Sequence, residues 1–152
     1  IRDKSRSRGL GDVYKREGWT VPLPGADKDE WAGEVGASEH KASINLGYNL
    51  NDFDFSWRMT FIGSADLDDQ FLAGRGFDAG AVGVDSVLYH DIQASYYLAE
   101  NVELFGGINN AFDEEPPLIP TGVSGSSTGT ETDAGTYDPI GRSFYLGLRA
   151  KF

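Results

Sequence analysis

The final stretch of the chain, residues 142–152, alternates strictly between apolar and polar side chains. One parity holds Phe144, Leu146, Leu148, Ala150 and Phe152, and the other holds Ser143, Tyr145, Gly147, Arg149 and Lys151. Because successive side chains of a strand point to opposite faces, this pattern predicts a strand with one apolar face and one polar face. Such a strand suits a position between lipid and a water-filled lumen.

Four earlier segments repeat the alternation. They cover residues 41–50, 53–63, 87–98 and 102–112. None of the predicted apolar faces carries Asp, Glu, Lys or Arg, each of which costs roughly 2–4 kcal/mol at the middle of a bilayer. Short turns join the segments in pairs, and long connections follow each pair. A soluble β-sandwich also alternates, but it has no reason to place every long connection at one end.

The pattern therefore predicts an all-β chain, a segment of an antiparallel transmembrane β-barrel with about five strands and long extracellular loops. Residues 1–38 are predicted to be an extracellular loop, and residues 39–152 the five strands with two long loops. The short turns and the C-terminus would be periplasmic. Five strands leave two unpaired edges, which hydrocarbon does not tolerate, so the segment is expected to belong to a larger barrel or to oligomerise.

Composition narrows the functional classes. A net charge of −11 argues against binding nucleic acid, which needs basic side chains for the phosphates. Zero cysteines exclude disulfides and thiolate metal sites, and no apolar run is long enough for a membrane helix. We find no Ser/His/Asp spacing, no metal-binding histidine pair and no phosphate-binding glycine loop, so we expect neither an enzyme nor a cofactor. Asp66, Asp68 and Asp69 lack the full calcium-loop pattern and are interpreted as a solvated acidic loop.

Two stretches resemble a known family. Residues 106–117, Gly-Gly-Ile-Asn-Asn-Ala-Phe-Asp-Glu-Glu-Pro-Pro, resemble the penultimate-strand signature of TonB-dependent outer-membrane receptors, usually G-V-N-N-L-F-D-x-x-P-P. Residues 128–142 and the Phe-ended strand resemble the C-terminus of the same family, and residues 61–64 and 89–96 fit it too. The likeness extends from about residue 40 to residue 152. Ala111 departs from it, because the family mostly has a larger apolar residue there.

The resemblance implies that residues 1–152 are the C-terminal portion of a receptor barrel of about 22 strands with a plugged lumen, and that the plug lies outside this chain. It also implies energy-coupled uptake of a scarce large solute, such as a metal–siderophore, cobalamin or an oligosaccharide, across the outer membrane of a Gram-negative bacterium. The implied partners are outer-membrane lipid, the TonB complex acting through the plug region, the barrel-assembly machinery and the solute. The alternative is a structural or adhesion barrel without transport.

Three groups of residues are candidates for function. The candidates for ligand contact in the outer loops are Tyr14, Trp19, Trp31, Arg75, Phe77 and Tyr137, although aromatic residues there also serve to pack loops together. The residues expected to face the lumen are Lys41, Asp54, Arg58, Asp91 and Arg149, where a ladder of charges along the wall is the simpler interpretation. The resemblance implies a barrel-assembly signal in Phe144, Leu146, Leu148 and Phe152. His90 is expected to face lipid as a neutral imidazole near the outer rim.

Overall fold

An antiparallel sheet of six strands dominates the computed structural model, which describes residues 6–15, 17–19, 30–119 and 131–151. In chain order the elements are β1 (Arg6–Lys15), β2 (His40–Leu50), β3 (Phe53–Ile62), β4 (Ala65–Asp66), α1 (Asp69–Ala73), β5 (Gly83–Val84), β6 (Val87–Ala99), β7 (Val102–Asn109) and β8 (Ser143–Ala150). The large sheet has the order β1-β2-β3-β6-β7-β8, and β4 pairs with β5. The prediction of an all-β chain with sequentially paired antiparallel strands is confirmed.

The register of the sheet places the predicted apolar positions on one face. Trp57 on β3 lies opposite Leu46 on β2 and Ile92 on β6. Ile92 in turn lies opposite Ile108 on β7, which pairs with Phe144 on β8. Directly opposed residues point to the same side of a sheet, so the apolar residues of the strands form one continuous surface. The charged and amide side chains form the other surface.

The connections alternate in length, as expected. Asn51 and Asp52 turn between β2 and β3, and Glu100 and Asn101 turn between β6 and β7. Asn51 has φ of 52°, a left-handed conformation that asparagine adopts more readily than most residues. Residues 16–39, 63–86 and 110–142 join strands at the opposite end of the sheet, and we call them loop 1, loop 2 and loop 3.

The first part of the chain corrects a prediction. Residues 1–38 were expected to form a loop, but residues 6–15 form β1, which pairs with β2 along its whole length. The sheet therefore has six strands rather than five. The alternation is weak because Gly9 and Gly11 occupy the apolar face of β1, where side chains of β2 cover them: Cβ atoms added there would lie 3.6 Å from Leu46 Cδ2 and 3.7 Å from Ile44 Cγ1.

The apolar face is exposed along the sheet. Its side chains include Leu46 at 42% exposure, Tyr96 at 47% and Leu146 at 79%. Across the six strands as described, Lys15 at the loop end of β1 is the one Asp, Glu, Lys or Arg on this face. Contiguous apolar surface of this extent is uncommon on a soluble monomer, and it marks a surface that contacts another protein, a membrane or a ligand. Among the described residues, the outer edges of β1 and β8 pair with no further strand.

Candidate functional site

The three loops meet in a small hydrophobic core at their end of the sheet, which we call the loop core. It consists of Ile62, Leu67, Leu72, Val87, Tyr89, Ile119 and Tyr137, with Val35, Phe71 and Val84 packed against it. Ile62, Val87 and Tyr89 belong to the polar face, which becomes apolar at this end. The loops therefore fold over the loop end of this face, and the hydrophobic core of the described residues lies there.

Backbone hydrogen bonds join loop 1 to loop 2. Val35 N–H donates to Asp66 O at 2.9 Å, and Asp66 N–H donates to Gly33 O at 2.8 Å. Glu34 and Asp66 thereby form an isolated parallel bridge. Loop 3 approaches loop 1 at Gly36, where an added Cβ would lie 3.6 Å from Asp133 Oδ2. Since Gly36 has φ of 92°, a residue with a side chain is strained there.

Tyr137 is the most deeply placed aromatic residue of loop 3. Its side chain is 2% exposed, and its hydroxyl is buried beside that of Ser38 without a hydrogen bond of normal geometry. Burial raises the pKa of Tyr137 above its ordinary value of 10.0, the Ser38 hydroxyl partly opposes this rise, and the negative charge of Asp133 adds to it. Tyr137 is therefore protonated at neutral pH, and its hydroxyl is an energetic cost to the loop core.

An acidic cleft opens between loop 1 and loop 2. It has a volume of about 380 Å³, and its lining includes Glu30, Glu34, Glu39, His40, Asp66 and Asp69. A neighbouring cleft shares Glu30, Ala32 and Glu39 and adds Trp19. Carboxylates at this density attract cationic groups and repel anions. Both loops are rich in acidic residues, but their shared cleft depends on loop packing that no local pattern reveals.

The residues predicted to contact a ligand occupy different settings. Trp19 is 59% exposed and lines a cleft, and Phe77 is 55% exposed. Trp31 lies over Gly18, Arg75 stacks on the ring of Phe71 at 3.6 Å from its centroid, and Tyr137 is in the loop core. The expectation of a loop position is wrong for Tyr14, which lies in β1 opposite Lys41 because β1 extends to residue 15. The structure does not bring the six residues into one site.

Residues 110–114, which directly follow β7, form a turn held by several hydrogen bonds. Asn110 is 1% exposed, with its amide donating to Glu114 O at 2.9 Å and accepting from Glu114 N–H at 2.8 Å. The carboxylate of Asp91 accepts the N–H of Asn110 at 3.0 Å. Asp113 accepts the N–H of Arg142 at 2.9 Å and forms an ion pair with its guanidinium at 3.6 Å. These contacts attach the start of loop 3 to β6 and to the entry of β8.

The residues predicted to face a lumen share the polar face of the sheet. Arg58 lies opposite Asp91 in the strand ladder and donates to Asn45 Oδ1 at 3.1 Å. Asp54 accepts from the amide of Asn49. Arg149 pairs with Glu103 across β7 and β8 at 2.7 Å. Lys41 lies opposite Ile62 at the loop end. Arg149 thus forms an ion pair with the neighbouring strand, and Arg58 and Asp54 contact asparagine amides of β2.

The predicted assembly residues Phe144, Leu146 and Leu148 lie on the apolar face of edge strand β8 and are strongly exposed. Phe152 lies outside the described residues.

The acidic residues of loop 2 stabilise the local backbone. Asp68 caps α1 by accepting the N–H of Phe71 at 2.6 Å, and Asp69 accepts the N–H of Gly80 at 3.3 Å. Within the described part of the chain, no group of three His, Cys, Asp or Glu side chains is placed to hold a metal ion. The same residues include no helix that is long and apolar enough to cross a membrane.

Comparison of the chain with known proteins identifies no matching protein family, no matching curated protein and no matching solved structure.

Proposed function

We propose that this chain is part of the wall of an outer-membrane β-barrel, the C-terminal portion of a TonB-dependent receptor that imports a scarce large solute. The observation that carries the proposal is the exposed apolar face of the six-stranded sheet, on which charge is confined to Lys15 at the loop end. An apolar sheet face without a covering layer is stable when lipid covers it.

The opposite face supports a barrel with an aqueous interior. Glu103 and Arg149 form an ion pair across β7 and β8, and Arg58 and Asp54 contact asparagine amides of β2. The open edges of β1 and β8 support a larger barrel, because a membrane sheet needs further strands or copies to satisfy its edge groups. The receptor assignment rests on the resemblance of residues 106–117 and 128–142, and the turn network around Asn110 gives the first of these stretches a physical role.

The membrane location can be tested by fluorescence quenching at Trp57. In a Trp19→Phe/Trp31→Phe variant, Trp57 is the one remaining tryptophan. We expect lipids brominated on their acyl chains to quench its emission strongly after refolding into vesicles. The matched control is Trp57→Phe, which keeps the two loop tryptophans and should be quenched weakly. Equal, weak quenching of both variants would place Trp57 away from lipid and overturn the proposal.

Transport is tested separately in the full-length protein, with its plug region, expressed in a Gram-negative host. We expect uptake of at least one radiolabelled probe, from a ferric siderophore, cobalamin and a maltodextrin, and we expect it to stop when the TonB protein is deleted. A barrel that inserts correctly but imports none of the three probes would favour the structural or adhesion alternative. Uptake that persists without TonB would contradict energy coupling.

A further inference from the structure

Trp57 and His90 form a hydrogen-bonded pair on the apolar face. The indole Nε1–H of Trp57 on β3 donates to Nδ1 of His90 on β6 at 3.1 Å. Their ring centroids are 5.6 Å apart. Phe112 of loop 3 packs edge-on against the imidazole at a centroid distance of 4.8 Å. The three rings come from two strands and one loop, and they lie toward the loop end of the face.

This contact fixes the tautomer of His90. An indole nitrogen only donates, so Nδ1 must accept and cannot carry a proton. The proton of the neutral imidazole is then on Nε2, which becomes a donor. Among the described residues, no acceptor lies within hydrogen-bonding distance of Nε2. The apolar face thus presents a polar N–H group for which the described residues provide no acceptor.

The acceptor has to come from the surroundings of this face, and the proposed location in a membrane supplies one. We propose that His90 Nε2–H donates to an ester carbonyl oxygen of a membrane lipid, which makes the Trp57–His90–Phe112 group a lipid-binding site. The inference rests on the membrane location of the proposed function. An unpaired donor in hydrocarbon is costly, whereas ester carbonyls lie where the hydrocarbon meets the head groups. Trp57 and Phe112 suit this zone, where aromatic residues concentrate.

The charges around the site favour a carbonyl over a phosphate. Phosphate sites in proteins use cationic partners that neutralise the ligand. Arg142, the cation just before β8, is already paired with Asp113 at 3.6 Å. Asp91, the residue after His90, points to the other face, where it accepts the N–H of Asn110. A neutral donor between aromatic rings matches a neutral acceptor attached to an acyl chain.

The test compares vesicles of diester phosphatidylcholine with vesicles of diether phosphatidylcholine that carry the same chains and head group. The full chain is refolded into each, and its folding equilibrium constant is measured by urea titration. One hydrogen bond predicts a constant that is about 2–10-fold larger in the diester lipid. In His90→Phe the ratio should fall to one. In the matched control Met59→Leu, which changes the residue opposite His90 on the same face, the ratio should be unchanged.

The outcomes separate this inference from the membrane proposal. If the chain inserts into both lipids with equal equilibrium constants, or if His90→Phe keeps the ratio, the lipid contact is refuted while the membrane location stands. If neither this chain nor the full-length protein that contains it inserts into either lipid, both proposals fall. Should His90→Phe not fold, NMR of the unaltered chain with isotopically labelled histidine gives the answer. We expect Nε2 of His90 to be protonated in both lipids, and its chemical shift to differ between the diester and the diether lipid. The His40→Gln variant, in which His90 is the one histidine of this chain, assigns the signal.

Discussion

Replacing Asn110 tests whether the turn at residues 110–114, directly after β7, stabilises the fold. Asn110 directly follows β7, has φ of 48° and is 1% exposed. Its side-chain amide forms two hydrogen bonds with the backbone of Glu114. Alanine removes both hydrogen bonds and adopts the left-handed conformation less readily. Glycine also removes both bonds but accepts the conformation without steric cost. The pair of variants therefore separates the hydrogen bonds from the backbone conformation.

The magnitudes follow from these contacts. Two hydrogen bonds at a net ~0.5–1.5 kcal/mol each amount to about 2 kcal/mol, and the left-handed conformation adds about 1 kcal/mol for alanine. We therefore expect Asn110→Ala to lower the free energy of unfolding by about 3 kcal/mol, and Asn110→Gly by about 2 kcal/mol. The neighbouring Asn109 makes one exposed hydrogen bond, to Ser143 Oγ at 3.2 Å, so Asn109→Ala should cost less than about 0.5 kcal/mol.

The assay is equilibrium unfolding in urea, with the refolded protein in detergent micelles and tryptophan emission as the signal. Linear extrapolation to zero urea gives each free energy of unfolding. The reasoning is refuted if Asn110→Ala costs no more than Asn109→Ala. It is also refuted if Asn110→Gly lowers the free energy of unfolding as much as Asn110→Ala, because the positive φ would then contribute nothing to the difference.

Two further predictions concern the buried hydroxyl of Tyr137 and the close packing at Gly147. Tyr137→Phe removes a buried hydroxyl without a normal hydrogen bond, so it should leave stability unchanged at pH 7 or raise it by up to about 1 kcal/mol. Burial raises the pKa of Tyr137 above 10.0, so on raising the pH the unfolded chain loses this proton before the folded chain does. The free energy of unfolding should therefore fall as the pH rises above 10.0, and it should fall less steeply in Tyr137→Phe. An identical slope in both proteins would exclude Tyr137 as the cause. Gly147→Ala should lower the free energy of unfolding in urea by about 1–3 kcal/mol, because the added Cβ would lie 2.4 Å from Phe105 Cζ. In the control Gly9→Ala the added Cβ lies 3.6 Å from Leu46 Cδ2, so this variant should be nearly neutral. Equal changes in the two variants would contradict the packing of the Phe105 ring over Gly147.

Five of the six long strands were predictable because one environment acts on each face. A strand with one apolar side must alternate, and β2, β3, β6, β7 and β8 do so over nearly their full length. β7 ends at Asn109 rather than at residue 112, because Asn110 turns the chain with a positive φ. β1 escaped detection since its apolar face carries glycines, and only the pairing with β2 identifies it as a strand.

The loop core was not predictable, because its members are joined by tertiary packing alone. Leu67 and Leu72 in loop 2 and Ile119 in loop 3 follow no period, and they meet only after the strands bring the loops to one end. α1, with five residues, is too short to produce a helical pattern. Tyr137 illustrates the difficulty: an aromatic residue in a polar loop suggests an exposed recognition site, yet the structure buries it. The sequence therefore predicts which strand residues lie on each face of the sheet, but it does not predict the contacts among the three loops.

The order of strands in the sheet has a consequence for the route by which the molecule forms. Each long strand after β1 pairs with the long strand before it in the chain. Because the turns at Asn51 and Asn101 are only two residues long, β2–β3 and β6–β7 are local hairpins. The loop core instead joins Val35 to Tyr137, across most of the chain. Closure over longer separations costs more chain entropy and slows the step that needs it. We expect the hairpins to form early and the loop core to form last, so a chain stalled in assembly would have paired strands beneath unassembled loops.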